Sequence, residues 1–347
     1  MGGSLNRQSC TAVWRGLQSA RSRLISTCCA EMSLGAAGKS ARATKLDVWI
    51  LERRPARNPV DPLRPYAFLA EEECSREGDI VPVNTIFLTN RECPWRCVMC
   101  DLWKNTLTET VPVGAIPAQI DYALERLPAA HHIKLYNSGS FFDPRAIPPA
   151  DYLPIAARLA RFEHVVVESH PALIGENCLR FRDLLSGRLE VAMGLETVHP
   201  TVLPRLNKGM TLDQFAGAAQ FLRSNGMDLR AFILVKPPYM RDDEAVHWAQ
   251  RSLDFAFECR ASAATLIPTR GGNGAIEALA FAPPSIAALE ASVTYGIGLA
   301  KGRAFADLWD LRRFSNCDAC FDARAARLLQ MNLRQTVLAP VECGACR

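Results

Sequence analysis

Nowhere in the 347 residues does an apolar run approach the roughly 20 residues that a membrane-spanning helix needs, so no span is expected. A secretory signal is missing too, because no clean apolar core is followed by a small-residue cleavage site. The glycine-rich stretch Arg270-Gly-Gly-Asn-Gly274 has neither of the two standard nucleotide-loop spacings and is weak evidence for phosphate. Charge of one sign is scarce in most of the chain. Residues 1–45 hold seven basic side chains against Glu31 alone, a local charge of +6, so the rest of a chain of net charge +4 carries −2. Bulk electrostatics therefore give no argument for a nucleic-acid partner. Cysteine, by contrast, is plentiful. Its 13 residues cluster in metal-like spacings rather than spreading as a disulfide framework, which indicates a reducing, cytoplasmic setting.

Three cysteines fall in Cys93-Pro-Trp-Arg-Cys97-Val-Met-Cys100, just after the apolar run Thr85–Thr89, which reads as a short buried strand. Iron–sulfur clusters usually take one thiolate per iron. A loop with three cysteines can ligate three irons of a 4Fe–4S cube and leave the fourth open to a substrate or cofactor. A structural zinc loop is the competing reading; zinc prefers four ligands, and the fourth would have to come from elsewhere, such as Cys74. Near the C-terminus, Cys317-Asp-Ala-Cys320 and Cys343-Gly-Ala-Cys346 are two pairs that can form a tetrahedral S4 site for zinc or an auxiliary iron–sulfur centre. The Ala323–Val337 segment between them reads as a helix. Cys178 and Cys259 sit in apolar helical contexts and read as packing residues.

Residues 1–45 are rich in Ser, Arg, Ala and Gly and read as a disordered basic tail or an over-extended start, with Met32 as an alternative initiator. Leu46–Leu51 reads as a first strand or lead-in, followed by a Pro- and Arg-rich loop. Strands are then expected at Thr85–Thr89, Ile133–Asn137, His164–Ser169, Leu189–Leu195, Leu229–Val235 and Ala263–Pro268. Helices alternate with them at Ala118–Leu127, Tyr152–Arg161, Asn177–Leu185, Leu212–Ser224, Asp243–Phe257 and Ile286–Val293. Thr211 through Gln214 fit a capping box with Gly226 as the stop, and Asp242 and Ser285 are candidate caps of the next two helices. Six such β/α units make an α/β chain that falls short of the eight a closed barrel needs, and function is expected at the C-terminal ends of the strands. The division expected is a tail (1–45), a barrel core (46–295) and a small Cys-rich C-terminal module (296–347).

The Cys-x3-Cys-x2-Cys spacing resembles the signature of the radical S-adenosylmethionine (SAM) superfamily, with Met99 where many members have an aromatic residue. That resemblance implies a partial (β/α)6 TIM-like barrel and a 4Fe–4S cluster on Cys93, Cys97 and Cys100. It also implies SAM on the open iron, reductive cleavage to a 5′-deoxyadenosyl radical, and a reductant such as flavodoxin or ferredoxin. Asn137-Ser138-Gly139-Ser140, Glu168-Ser-His170, Gly194-Leu-Glu196-Thr197 and Asn207-Lys208-Gly209 resemble, in order, the subgroup holding the elongator catalytic subunit and the oxygen-independent coproporphyrinogen oxidases. By that resemblance Ser138, Gly139 and Ser140 form a variant of the family's Gly-Gly-Glu stretch. Glu168 helps hold the SAM amino group, Glu196 takes the ribose hydroxyls, and Lys208 replaces an arginine facing the SAM carboxylate, without its bidentate fork. Ser-Gly-Ser-Phe, Leu-Asn-Lys-Gly-Met-Thr and Leu-Val-Lys236-Pro-Pro are also similar to the radical SAM partner of archaeosine synthase, which modifies a deazaguanine base in archaeal tRNA. Lys236 and His170 are further candidates at the mouth. A small-molecule or protein-presented substrate is favoured on charge, with tRNA as the alternative; Arg312, Arg313, Arg324, Arg327 and Arg334 could dock RNA but read better as a solvated face. A non-catalytic iron–sulfur or zinc protein is the competing class.

Overall fold

The structure, a computed structural model, describes residues 44–346. Apart from Thr44 and Lys45, the basic tail expected at 1–45, with Cys10, Cys28 and Cys29, lies outside the described residues.

The elements run α1 (Lys45–Leu51), β1 (Ala67–Cys74), β2 (Ile80–Phe87), α2 (Ala115–Leu124), β3 (His132–Tyr136), α3 (Tyr152–Leu159), β4 (His164–Glu168), α4 (Glu176–Arg182), β5 (Arg188–Glu196), α5 (Val202–Arg205) and α6 (Leu212–Ser224). They continue with β6 (Asp228–Val235), α7 (Ala245–Glu258), β7 (Ala263–Pro268), α8 (Ala275–Ala278), α9 (Ile286–Gly298), β8 (Arg303–Ala306) and α10 (Asp318–Arg334). The eight strands form one sheet in sequence order. β1 pairs antiparallel with β2, and β2 through β8 are all parallel. The result is a curled, incomplete (β/α) barrel, with helices covering the outer face. Val165, Val166 and Val167 of β4 are buried on both faces, as expected for a parallel sheet covered on both sides.

Three expectations change. Leu46–Leu51 is a helix, because Thr44 accepts the Asp47 N–H (3.0 Å) while the Asp47 carboxylate accepts the Thr44 N–H (2.9 Å), a reciprocal cap that starts α1. The six expected strands become eight. β1 carries Glu71-Glu-Glu73, which masks its alternation, and β8 is only four residues long. Asp242 does not cap α7; it lies in a preceding 3₁₀ turn and pairs with Lys236. Thr211 and Ser285 cap α6 and α9 as expected. Residues 303–306 join the sheet, and α10 packs against both β1 and β8. Among the described residues no helix is long and apolar enough to cross a membrane.

The masked glutamate of β1 explains the barrel's lower interior. Glu73 bonds Arg230 of β6 (Oε1 to Nη2, 2.5 Å) and Lys134 of β3 (2.5 Å), and Arg230 also bonds Glu190 of β5 (2.5 Å). Arg303 of β8 reaches Glu190 (3.1 Å) and the Cys74 carbonyl (2.9 Å). Burial opposes ionisation of Glu73 and Glu190, but Arg230 and its neighbours outweigh it, holding Glu190 at about 2 and Glu73 well below the usual carboxylate range. His164 of β4, 3.6 Å from Glu190, is pushed down to about 4 by burial. Removing Arg230 takes from two buried carboxylates the cation they share, leaving Glu73 with Lys134 and Glu190 with Arg303, so Arg230→Met should cost about 3 kcal/mol in urea unfolding. The acid limb has a definite sign. The unfolded chain takes up protons at His164 from pH 6.5 downward and at the two glutamates below 4.5, before the folded state does, so stability should fall as pH drops through these windows. His164→Gln should flatten the segment between pH 6.5 and 4; an unchanged slope in a pH series would refute the His164 contribution.

Candidate functional site

The C-terminal ends of β2 to β6 converge with the cysteine loop, and the local backbone there is strained. Ser138, Glu196, Asn207 and Lys236 all have φ between +52° and +63°. Such conformations cost of order 1–3 kcal/mol each in non-glycine residues and cluster where geometry serves a site.

Cys93, Cys97 and Cys100 lie on the loop leaving β2, and desolvation by burial pushes each thiol up to about 12. A metal would have to displace those protons, which Lys208, Arg96 and Arg54 favour by their charge. Cys74 lies at the far end of β1, opposite Ile80 at the start of β2, so it cannot serve as a fourth ligand to this loop. Two asparagines clamp the loop. Asn207 donates to the Arg96 carbonyl (2.7 Å) and to Asp47 of α1 (2.8 Å). Asn273, in the glycine-rich stretch after β7, donates to the carbonyls of Val98 (2.7 Å) and Cys100 (3.2 Å). Glu92 adds an ion cluster with Arg54 (2.6 Å), Arg57 and Arg96 (3.0 Å), and the guanidinium of Arg54 lies 4.5 Å from the Trp103 ring.

Facing the loop, Glu168 accepts the backbone N–H of Asn137 (2.5 Å) and of Gly139 (3.4 Å), and its burial raises it above the ordinary carboxylate value despite those bonds. Gly139 passes so near the loop that an added Cβ would stand 3.2 Å from the Cys93 Cβ, so only glycine fits without displacement. Ser138 bonds Tyr66 (3.1 Å), and Ser140 accepts the His170 N–H (2.8 Å). Lys208 donates to Glu196 (2.7 Å), a buried pair in which Glu196 outweighs the desolvation of the ammonium and raises it. Gly194 lies under that pair, where any side chain would collide with both partners. Lys236 instead turns to the Ala282 carbonyl (2.6 Å) and Asp242, away from the Glu196–Lys208 pair.

His170 proves structural. Its Nδ1 accepts the Ala172 N–H (3.1 Å), Nε2 donates to the Lys208 carbonyl (3.0 Å), and the ring stacks on Trp95 at 3.6 Å. Burial and the Lys208 charge hold it near 3, so it stays neutral. Sequence reasoning missed Trp95, Asn137, Tyr66 and Asn273. Asn137 is fully buried with neither side-chain atom partnered. Its only sequence signal was its place at the end of an expected strand.

Of the five tail arginines expected to form a solvated face, Arg312, Arg313 and Arg334 are exposed while Arg324 and Arg327 are not. Arg324 and Arg327 pair with Glu290 of α9 (2.7 and 3.3 Å), and Arg327 also donates to the Leu338 and Ala339 carbonyls (2.8 Å each). Arg312 and Arg313 stay about half exposed. A cavity of about 380 Å³ opens beside Arg313, lined also by Arg270, Phe281 and Phe314. The four tail cysteines do meet: their sulfurs lie within 4.8 Å of one another.

No protein-family profile matches the chain. An uncharacterised protein of Methanocaldococcus jannaschii is 25% identical over 231 residues, 62% of this chain and 63% of that protein. The archaeosine synthase subunit beta of Methanosarcina acetivorans is 27% identical over 187 residues, 50% of this chain and 53% of that subunit. The chain thus spans between half and two thirds of the length of these relatives. Among solved structures, methylornithine synthase superposes with a TM-score of 0.46 at 14% identity, over 62% of this chain and 63% of that one. The radical SAM methyltransferase TsrM of Kitasatospora setae gives 0.41 at 13%, over 56% and 37%.

Loss of the Asn273 clamp frees two loop carbonyls. Asn273→Ala should cost about 1–3 kcal/mol and lower the iron taken up on anaerobic reconstitution relative to wild type. Wild-type stability together with full iron uptake would show that the clamp does not hold the loop.

Proposed function

We propose that the chain is a radical SAM enzyme. The observation that carries this reading is the partly buried triad of Cys93, Cys97 and Cys100 on the loop after β2, at the same strand-end mouth as the Glu168-bound turn and the Glu196–Lys208 pair. The donor set suits the group. Three free thiols on one loop supply one ligand to each of three irons. When bound, a 4Fe–4S cluster would supply one electron to SAM, breaking its C5′–S bond to give methionine and the 5′-deoxyadenosyl radical that takes a substrate hydrogen.

The chain's own residues would bind and orient. Gly139 leaves room beside Cys93, and the unpartnered Asn137 amide offers a donor and an acceptor next to Glu168. Glu196 accepts from Lys208 through one oxygen and retains acceptor capacity for ribose hydroxyls. Lys208 remains the candidate for the SAM carboxylate. His170 and Trp95 brace the Lys208 backbone against the cysteine loop. The test is formation of 5′-deoxyadenosine by the anaerobically reconstituted protein. Replacement of all three loop cysteines by Ala should abolish the loop-bound iron and SAM cleavage together, and retention of both would sink the assignment. Glu196→Ala should weaken SAM binding by about 1.5–3 kcal/mol while iron uptake persists; wild-type affinity would remove Glu196 from the ribose.

The substrate reading turns on two observations that pull apart. The archaeosine synthase beta relatives favour a tRNA-borne nucleobase. Charge favours a small or protein-presented substrate, since Arg324 and Arg327 are spent on Glu290. Arg312 and Arg313 stay exposed beside Asp318 and Asp310, and Arg313 lines the 380 Å³ cavity. Binding of total tRNA across a salt series decides between them. Tight binding that falls steeply with salt and drops further in Arg312→Glu/Arg313→Glu supports tRNA; weak, salt-insensitive binding supports the smaller substrate.

A further inference from the structure

The open edge of the barrel is capped by side chains rather than by another strand. At β8, the Asn332 carboxamide accepts the Ala306 N–H and donates to the Ala306 carbonyl, both at 2.8 Å. Gln335 does the same for Ala304, at 2.7 and 3.1 Å. Two amides spaced three residues apart thus satisfy alternate backbone groups of an edge strand that would otherwise be open to pairing. Both amides belong to α10 or its first following residue, and α10 also packs on β1. Sealing of the seam between β1 and β8 therefore depends on how firmly α10 is seated.

After α10 the chain turns back along the helix. Gln335 takes a left-handed conformation (φ +48°), and Arg327 then gathers the carbonyls of Leu338 and Ala339. This return brings Cys343 and Cys346 to the start of α10, where Cys317 stands at the cap and Cys320 in the first turn. Cys317 and Cys343 sulfurs lie 3.9 Å apart, Cys320 and Cys346 sulfurs 3.5 Å apart. Zn–S bonds of about 2.3 Å in a tetrahedron place sulfurs about 3.8 Å from one another. A cube that takes one thiolate per iron spreads its ligands wider. The positive end of a 17-residue helix favours thiolates at this spot.

We propose that Cys317, Cys320, Cys343 and Cys346 bind a single Zn²⁺ that clasps the α10–tail hairpin, and that this clasp keeps Asn332 and Gln335 on the β8 edge. The site is independent of the barrel mouth and of any chemistry there. It turns two ends of the C-terminal segment into one rigid piece. The metal acts on the fold through a lever whose far end is the edge of the sheet.

The test uses the full chain with Cys93, Cys97 and Cys100 replaced by Ala, so that loop iron does not enter the count. Elemental analysis should find one zinc per chain and no iron; Cys317→Ser/Cys343→Ser should lose the zinc. Iron with sulfide on the tail, or no stoichiometric metal, would overturn the assignment. Hydrogen exchange then tests the clasp. Stripping zinc from the otherwise wild-type protein with a thiol-reactive mercurial and a chelator should speed exchange at Ala304, Ala306 and across 318–334 by tenfold or more, and re-adding zinc after thiol release should reverse it. If zinc leaves and these amides exchange as before, the ion is bound but does not seal the edge. The chelation arm needs no mutant, so misfolding of the Cys→Ser variant would not hide the answer.

Discussion

The charged lattice in the lower barrel interior is the constraint on which the remaining architecture depends. An incomplete barrel has no hydrogen-bonded ladder between its first and last strands. Here Glu73 of β1, Arg230 of β6, Glu190 of β5 and Arg303 of β8 are linked directly across the interior, and Arg303 also holds the Cys74 carbonyl of β1. Ion pairs in a buried setting repay their desolvation only when geometry is good and each member is bonded more than once. Arg230 meets that condition with three bonds to two carboxylates. The lattice therefore fixes the relative placement of strands that share no backbone contact, something a purely apolar filling would not specify.

With the base fixed by charge, the opposite end can tolerate strain. Left-handed conformations at Ser138, Glu196, Asn207 and Lys236 all fall at strand ends or in the loops after them. Arg260 and Ala300, just before β7 and β8, are left-handed too, so such conformations are not confined to that end. The cysteine loop at the mouth is held by external clamps. The loop has few internal hydrogen bonds, so Asn207 and Asn273 reach it from the segments after β5 and β7 and immobilise carbonyls beside the thiols.

How much of this was legible depends on whether the signal was local. The parallel strands β3 to β7 declare themselves as short apolar runs, and α6 by its reciprocal cap, because burial and capping act within a few residues. Glu168, Glu196 and Lys208 were named from a family resemblance of successive strand-end segments, and strand order alone says only that such segments share one end of a parallel sheet. β1 was hidden because three consecutive glutamates break its apolar alternation; Glu71 and Glu72 are exposed, and Glu73 is turned inward to cations on β3 and β6. Asn273 was hidden because a clamp is defined by the carbonyls it reaches, 175 and 173 residues away in sequence. The fate of Arg324 and Arg327 was likewise set by Glu290, a residue on another helix.

That last point bears on the electrostatic reading of the whole chain. Counting Lys and Arg treats each as surface potential, yet Arg54, Lys134, Lys208, Arg230, Arg303, Arg324 and Arg327 are bonded to carboxylates and largely withdrawn from solvent. Their fields are cancelled within a few ångströms and do not extend a Debye length into water. Phosphate backbones are gripped by exposed cations whose counter-ions are released on contact, and internal pairs release none. Arg312 and Arg313 are about half exposed, but each stands beside an aspartate, Asp318 and Asp310, so their fields are partly cancelled too.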